Sequence, residues 1–171
     1  MTETQQFCTF KVDDFYFGVE VDKVQEVLRS QEMTRVPLAA PVVSGLINLR
    51  GQIVTAICLR RRLALGERSG KRPPMSVIVR TDEGAISLLV DEIGEVLTVS
   101  GDAAESPPDT LDAAGRELIT RVYKLPNRLL LILDTDKAVS IGTATGRRGV
   151  GVGVGEDGNT APLPAGKQTN G

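Results

Sequence analysis

The sequence predicts an all-β protein made of small closed barrels or a sandwich. About nine short runs of β-forming residues follow one another at the spacing of hairpins, and turn-forming residues separate them. No segment shows the apolar periodicity of a long helix. Closed barrels suit this pattern because they leave no sheet edge exposed to another chain.

The composition is that of a globular domain with an aliphatic core. Of the 171 residues, 41% are hydrophobic and 25% are charged, and there is no tryptophan. Five of the six phenylalanine and tyrosine residues lie between Phe7 and Phe17, which leaves few rings to stack on nucleic-acid bases. The formal net charge of −2 provides no overall field that would attract nucleic acid or an anionic membrane.

The first predicted element is a hairpin over residues Phe7–Val21. Apolar and polar residues alternate on both sides of Asp13-Asp14, the pattern of half-buried antiparallel strands. The period then changes. Val21, Val24, Val27 and Leu28 recur at spacings of three and four, and Asp22 is placed to cap a short helix or helical turn. An apolar stripe of this kind most often belongs to the core.

A short strand over residues 33–37 precedes the clearest hairpin of the chain, at residues 44–63. The two β-rich runs, 46–49 and 53–59, flank a turn in which Gly51 can adopt a positive φ. Asn48 and Arg50 are therefore predicted at the hairpin tip. The second run is apolar on both faces, which predicts a strand covered on both sides.

The second half of the chain continues the hairpin pattern. A hairpin is predicted over residues 75–90 around the turn 81–84, followed by a strand at 95–99 and a connection at 101–112. Two further strands are predicted at residues 118–123 and 129–133, and Asp134 is placed to cap a helical turn through Ile141.

From residue 143 onwards the composition changes. Eight of the 18 glycines lie in residues 143–171, which contain no aromatic residue and no periodic pattern. Such a segment cannot bury enough apolar surface to offset the entropy of ordering it. We therefore predict a domain over residues 1–142 and a flexible glycine-rich tail over 143–171.

The sequence predicts no catalytic residue, no metal site and no cofactor. Histidine is absent, which removes the commonest general base and metal ligand. Asp134-x-Asp136 lacks the other ligands of a calcium loop, and the spaced glycines of residues 149–155 neither follow a strand nor open a helix. Cys8 and Cys58 are predicted to be buried free thiols.

No membrane insertion is predicted either. The N-terminus lacks the basic start and apolar run of a signal peptide, and no apolar stretch approaches the ~20 residues of a spanning helix. We therefore predict a cytoplasmic protein.

Two basic features could contact partners. The segment Arg60–Arg72 holds six of the 20 lysine and arginine residues, so a small barrel that binds nucleic acid through this segment is the alternative function. Arg50 beside the turn glycine would present a rigid fork of donors to a carboxylate. That carboxylate could belong to a partner or to a neighbouring loop, or Arg50 could form an internal salt bridge that pins the hairpin.

Four motifs in order resemble the CheW family of chemotaxis coupling proteins. The resemblance runs from about Phe7 to Ile141 and rests on the segments VDKVQEVL (21–28), GLINLRGQIV (45–54), SLLVDEIGEVL (87–97) and NRLLLILDTDK (127–137). Four separated matches in the family's order are more specific than any one of them.

The resemblance implies a fold of two small five-stranded SH3-like barrels packed on each other, with short helical turns. It also implies a non-enzymatic adaptor that couples the cytoplasmic tip of a methyl-accepting chemoreceptor to the regulatory domain of a CheA-type histidine kinase. Such an adaptor would be monomeric alone and would be recruited to receptor clusters at the inner face of the membrane. The double-faced strand at residues 53–59 would then lie where the two barrels share a core.

The resemblance further implies which residues form the coupling site. The receptor tip would lie in an apolar groove between the barrels, near Val21, Val24, Val27 and Ile93. Glu26 and Arg50 would take part in coupling, and Asn48 and Gly51 belong to the same hairpin motif as Arg50.

The chain departs from the common family pattern at Thr55–Leu59 and at Arg121, where a glycine is common. It could therefore be the principal chemotaxis adaptor or a paralogue in gliding or another motility pathway.

Overall fold

The computed structural model describes residues 3–29, 31–66, 72–100, 105, 107–109 and 111–140, which form ten strands, one 3-10 turn and three short α-helices. The strands are β1 (Thr4–Val12), β2 (Phe15–Glu20), β3 (Val24–Leu28), β4 (Val43–Leu49), β5 (Gln52–Cys58), β6 (Met75–Thr81), β7 (Gly84–Val90), β8 (Glu92–Ser100), β9 (Ile119–Lys124) and β10 (Leu129–Leu133). The helices are α1 (Leu59–Arg62), α2 (Ala113–Glu117) and α3 (Thr135–Val139), and the 3-10 turn is Val21–Lys23. The predicted tail, residues 143–171, lies outside the described residues.

The strands form two five-stranded sheets, which confirms the all-β prediction. Sheet 1 has the order β8-β1-β2-β10-β9, and sheet 2 has the order β3-β6-β7-β5-β4. Among the described residues, neither sheet has hydrogen bonds between its two outer strands, so the two predicted five-stranded barrels are present as two five-stranded sheets that are not closed. We call the gap between the outer strands the seam of each sheet.

The two sheets are built by an internal repeat. In sheet 1, the antiparallel hairpins β1–β2 and β9–β10 are joined by the parallel pairing of β2 with β10. In sheet 2, the antiparallel hairpins β6–β7 and β4–β5 are joined in the same way by the parallel pairing of β7 with β5. The segments VDKVQEVL (21–28) and VDEIGEVL (90–97) follow the equivalent hairpins 69 positions apart. Each leads to a strand that joins the other sheet, β3 in sheet 2 and β8 in sheet 1. The sheets are therefore intertwined.

One hydrophobic core is shared by both sheets. Phe10 and Phe17 of sheet 1 and Val77 and Leu88 of sheet 2 belong to the same buried cluster, together with Ile57 of β5. Burial of these side chains on facing sheets supplies the main driving force for packing the sheets together.

Strand β5 is buried on both faces at its centre, as predicted. Ile57 lies in the shared core, whereas Ala56 packs on the opposite face with Ile47 and Leu89. The prediction does not hold at the ends: Ile53 is 63% exposed beside the hairpin tip, and Leu59 begins α1 instead of continuing the strand.

The helical turn predicted from the spacing of residues 21–28 is present only at Val21–Lys23, and the prediction is wrong beyond Lys23. Val24–Leu28 is strand β3, and its pairing with β6 places Val24 opposite Val79 but Glu26 opposite Ile78, so one extra residue is accommodated in a β-bulge. The bulge explains the misleading spacing, because it inserts a residue between apolar positions that a regular strand would space by two. No side chain caps the 3-10 turn, so the capping role predicted for Asp22 is also wrong.

Two further elements differ from prediction. The strand predicted over residues 33–37 is a single bridge between Thr34 and Leu46, because only this residue pairs with the outer edge of β4. Helix α2 was not predicted. It is only five residues long, and its N-terminus is capped by Asp112, whose carboxylate accepts a hydrogen bond from the Gly115 N–H.

The remaining predicted hairpins and the closing turn are confirmed. The turns at residues 13–14, 50–51 and 82–83 connect β1 to β2, β4 to β5 and β6 to β7. Asp134 caps α3 by accepting a hydrogen bond from the Lys137 N–H at 3.1 Å, although the helix ends at Val139. Both cysteines are free; Cys8 is buried and Cys58 is half-buried.

Gly94 is required by the interior of sheet 1. A Cβ at this position would lie 2.5 Å from Thr9 Oγ1 and 3.0 Å from the Tyr16 hydroxyl, which are themselves hydrogen-bonded at 2.8 Å. Gly94→Ala should lower the free energy of unfolding by about 1–3 kcal/mol because the buried pair has little room to shift. Chemical denaturation measures this change. Gly66→Ala is the matched control, since a Cβ there meets nothing within 4 Å, and an equal effect of both changes would contradict the explanation.

Candidate functional site

The tip of the β4–β5 hairpin is a two-residue turn of unusual backbone conformation. Arg50 and Gly51 have φ values of 53° and 88°, so both residues are left-handed, as in the turns that match the twist of paired strands. The prediction for Gly51 is confirmed, whereas the positive φ of Arg50 was not predicted. Asn48 stabilises the turn, because its Oδ1 accepts a hydrogen bond from the Gly51 N–H at 2.9 Å.

Arg50 forms a bidentate salt bridge with Glu26. Its Nη1 and Nη2 each donate to one carboxylate oxygen of Glu26, both at 2.6 Å. This is the parallel fork geometry that makes arginine–carboxylate pairs strong and directional. Of the alternatives left open by the sequence, the internal salt bridge is the one observed, and its carboxylate lies on strand β3 and not on a loop.

The salt bridge spans the seam of sheet 2. Glu26 lies on β3 and Arg50 lies at the end of β4, and these are the two outer strands of the sheet. We call this pair the seam clamp. The Glu26 side chain is 20% exposed, whereas the Arg50 side chain is 69% exposed, so much of the guanidinium still faces solvent.

The seam clamp shifts the pKa of both of its side chains. The hydrogen bond from Arg50 is the largest cause that lowers the pKa of Glu26, and burial of the carboxylate opposes it. The hydrogen bond to Glu26 raises the pKa of Arg50 in turn. The ionised pair is therefore favoured over either neutral form across the physiological pH range.

The apolar residues of the predicted groove occupy different surroundings. Val21 lies in the 3-10 turn and lines a polar cavity of about 360 Å³ with Gln5, Asp22 and Thr98 among its other walls. Val24 is half-buried against the shared core, and Val27 is half-buried on the same strand.

Ile93 lines a different cavity. This open cavity of about 600 Å³ is bounded by Arg29, Arg72, Pro73, Met75, Asp91, Glu92 and Ile93. Ile93 also packs against the shared core, as Val24 does, so both side chains are partly buried by contact with the same cluster.

The basic segment predicted for nucleic-acid binding is largely occupied by internal contacts. The Arg60 side chain is only 11% exposed, and its Nη2 lies 2.9 Å from Asp91 Oδ2 and 3.2 Å from Asp13 Oδ1. Arg61 donates to the Pro41 carbonyl, and Arg62 donates to the carbonyls of α3. Arg68 and Lys71 lie outside the described residues.

The cluster of Arg60, Asp13 and Asp91 was not predicted. It joins α1, which follows sheet 2, to the β1–β2 turn of sheet 1 and to the point where β7 leads into β8. The Asp13 N–H also donates to Asp91 at 2.7 Å. Hydrogen bonds to Asp91 are the largest cause that raises the pKa of Arg60. The repetition of Val-Asp at residues 21–22 and 90–91 is the sequence signal that marks this crossover.

The part of the chain that the structure describes contains no group of three or more cysteine, aspartate or glutamate residues arranged to hold a metal ion. Nor does any helix within the described ranges have the length and hydropathy needed to cross a membrane.

Comparisons with known proteins identify the family. Residues 6–141 match the family model described as a CheW-like domain. The chain is 30% identical over 142 residues to the chemotaxis protein CheW of Treponema pallidum, with 81% of this chain and 84% of the relative covered. It is 31% identical over 132 residues to the chemotaxis protein CheW of Bacillus subtilis, with coverage of 77% and 85%.

A solved structure supports the fold. The scaffolding protein TtCheW from Thermoanaerobacter tengcongensis superposes with a TM-score of 0.72 at 24% identity, covering 81% of this chain and 94% of that protein. The likeness establishes a common arrangement of the two sheets.

The lowered pKa of Glu26 predicts how acid affects the seam clamp. Because the folded-state pKa is depressed, the contribution to stability is present above the ordinary glutamate pKa of about 4.3 and is lost as the pH falls through the lower folded-state value. Thermal unfolding of the wild type and Glu26→Gln should therefore differ at pH 7 and converge under acidic conditions. Glu95→Gln is the control, and a wild-type advantage over Glu26→Gln that grows with acidification would contradict the prediction.

Proposed function

The chain belongs to the CheW family, and from this membership we propose that it is a non-enzymatic signalling adaptor between a chemoreceptor and a CheA-type histidine kinase. The observation that carries the proposal is the match of residues 6–141 to the CheW-like domain, supported by relatives named as chemotaxis proteins. Simultaneous binding of both partners would raise the effective concentration of the kinase at the receptor and allow the receptor state to bias the kinase.

The proposed receptor site is the set of residues that the sequence resemblance implies. The helical tip of the receptor would contact Val21, Val24, Val27 and Ile93, and the hairpin residues Asn48, Arg50 and Gly51 would form its border with Glu26. The half-burial of Val24, Val27 and Ile93 supports this assignment, because a helix in a groove needs a few partly accessible aliphatic anchors. The large exposed fraction of Arg50 supports a second role for its guanidinium, beyond the contact with Glu26.

The alternative function, nucleic-acid binding through Arg60–Arg72, finds no support. Phosphate binding requires side chains that are free to exchange counterions for phosphate oxygens. The half-buried Arg60 is instead paired with two carboxylates, and Arg61 and Arg62 donate to backbone carbonyls.

The proposal extends to localisation and domain organisation. We propose that the protein acts in the cytoplasm, is monomeric alone and is recruited to receptor clusters at the inner face of the membrane. We further propose that the adaptor activity resides in residues 1–142 and that the glycine-rich tail is not needed for it. The extent of the family match, which ends at residue 141, supports this boundary.

Arg50→Glu tests the proposed site. Reversal of the charge breaks the seam clamp, but the side chain is mostly exposed, so the fold should be retained with a small decrease in melting temperature. Binding to a receptor-tip fragment, or activation of the kinase in reconstituted receptor membranes, should fall by roughly tenfold or more. Arg116→Glu, at another exposed arginine, is the control. Normal coupling by Arg50→Glu would count against the site.

A charge exchange separates the two roles of Arg50. The double variant Arg50→Glu with Glu26→Arg should restore an ion pair across the seam. If the arginine contacts a partner directly, stability recovers while coupling stays low. Recovery of both would assign Arg50 to holding the hairpin in position.

Removal of the tail tests the domain boundary. A chain that ends after residue 142 should unfold at the same temperature as the full chain and bind the same receptor and kinase fragments, because the family match ends before this point. Circular dichroism and isothermal titration calorimetry measure the two properties. Loss of folding or binding would refute the boundary.

A further inference from the structure

The strand registers place three residues of the proposed receptor site on related faces. Val24 and Val27 lie opposite residues of β6 that belong to the shared core. Ile93 lies opposite Phe10 of β1, which belongs to the same core. Directly opposite residues of paired strands project to the same face of a sheet. The three apolar side chains therefore lie on the faces that the two sheets turn toward each other.

The cavity beside Ile93 extends this apolar surface beyond the residues that the sequence indicated. Its volume is about 600 Å³, and its apolar walls are Ile93, Met75 and Pro73. Met75 packs against the shared core, as Ile93 does, and is half-buried, so part of its side chain remains accessible. The cavity thus offers a hydrophobic floor that begins at a residue of the proposed receptor site.

Arg29 supplies a positive charge at the rim of this cavity. It is exposed directly after β3, and its side chain makes no hydrogen bond or ion pair with another described residue. The carboxylate of Asp91 is already engaged, because it accepts hydrogen bonds from Arg60 at 2.9 Å and from the Asp13 N–H at 2.7 Å. Arg72, the other arginine of the lining, has an interaction of its own. An acidic group that entered the cavity would therefore find its counter-ion in Arg29.

Glu92 gives the same rim a second, opposite charge. It is exposed at the start of β8, and among the residues that the structure describes its side chain has no ion-pair or hydrogen-bond partner. Of the two charges, the arginine is the better anchor for a partner, because its planar fork binds a carboxylate through two hydrogen bonds and arginine is enriched at interfaces whereas glutamate is depleted. A carboxylate in the cavity would be attracted by Arg29 and repelled by Glu92, so both charges would define its position.

We propose that the receptor helix places an apolar side chain against Ile93 and Met75 and an acidic side chain against Arg29. The inference rests on the proposed function and names a contact that selects which receptor helix fits. Continuity favours the receptor over the kinase, because Ile93 belongs to both the cavity and the proposed receptor site. Both receptor side chains must project from one face of their helix, so they are expected three or four residues apart.

Binding of a soluble receptor-tip fragment to the full chain tests the two charges. Arg29→Gln should weaken binding about fivefold to tenfold and reduce its salt dependence, whereas Glu92→Gln should strengthen binding because it removes a like charge. Arg35→Gln is the matched control and should bind normally, since Arg35 is also exposed and unpaired among the described residues but does not line this cavity. All three variants should melt at the wild-type temperature. Weaker binding by Glu92→Gln would contradict an acidic occupant.

Charge reversal identifies the receptor residue. Arg29→Glu should bind the fragment more weakly than Arg29→Gln does, because the new carboxylate repels the acidic side chain. Acidic residues of the fragment are replaced by lysine one at a time. At one position this change should weaken binding to the wild type and restore binding to Arg29→Glu. If no position behaves in this way, the contact is overturned.

Methionine methyl signals report on the floor of the cavity without any change of charge. The chain has three methionines, so labelling their methyl groups with carbon-13 gives few signals, and Met75→Leu assigns the signal of Met75. The receptor fragment should shift the Met75 signal and leave the Met33 signal in place, because Met33 packs in a different cluster with Ile47. An unchanged Met75 signal at saturation would refute the docking of the helix in this cavity.

The outcomes separate the contact from the function. If the wild type binds neither the receptor fragment nor the kinase domain, the proposed function fails. If the wild type binds the receptor fragment but Arg29→Gln binds equally well and the Met75 signal does not move, the function stands and the contact is overturned. If Arg29→Gln weakens only binding of the kinase domain, the cavity serves the kinase and the assignment to the receptor is wrong.

Discussion

The shared hydrophobic core is the interaction on which the rest of the structure depends. Each sheet has only five strands, and the inward faces of both sheets supply the same buried cluster. Strands β3 and β8 tie the sheets further, because each follows a hairpin of one sheet and pairs in the other. Separation of the sheets would therefore expose the cluster and also unpair two strands. Folding of the two sheets as one cooperative unit follows from this arrangement.

Polar contacts fix the positions of the two sheets relative to each other at the crossover between them. Arg60 is paired with Asp13 and Asp91 at the crossover from β7 to β8, where a half-buried guanidinium without these carboxylates would be destabilising. The crossover leads directly to Ile93, so the same cluster positions one wall of the proposed receptor site. This arrangement explains why a run of arginines that could bind phosphate instead serves the architecture.

The two halves of the repeat have diverged at their seams. Sheet 2 joins its outer strands through Arg50 and Glu26, whereas in sheet 1 Arg121 of the outer strand β9 donates at 2.7 Å to Gln5 of β1, the strand next to the other outer strand β8. Arg121 is one of the positions at which the chain departs from the common family pattern, and here it has a structural partner.

The sequence by itself determined the all-β class, most hairpins, the α3 cap and the family, because alternation, turn residues and caps depend on neighbours within a few positions. It also located Arg50, Gly51 and Asn48 at one tip. Only the tertiary structure decided that Val24–Leu28 is a strand, since the bulge that disguises it exists only against β6. The acceptor of Arg50 was likewise undecided until β3 and β4 met across the seam, 24 residues apart in the chain. Contacts of this kind depend on how the sheets fold, and no local pattern of residues specifies them.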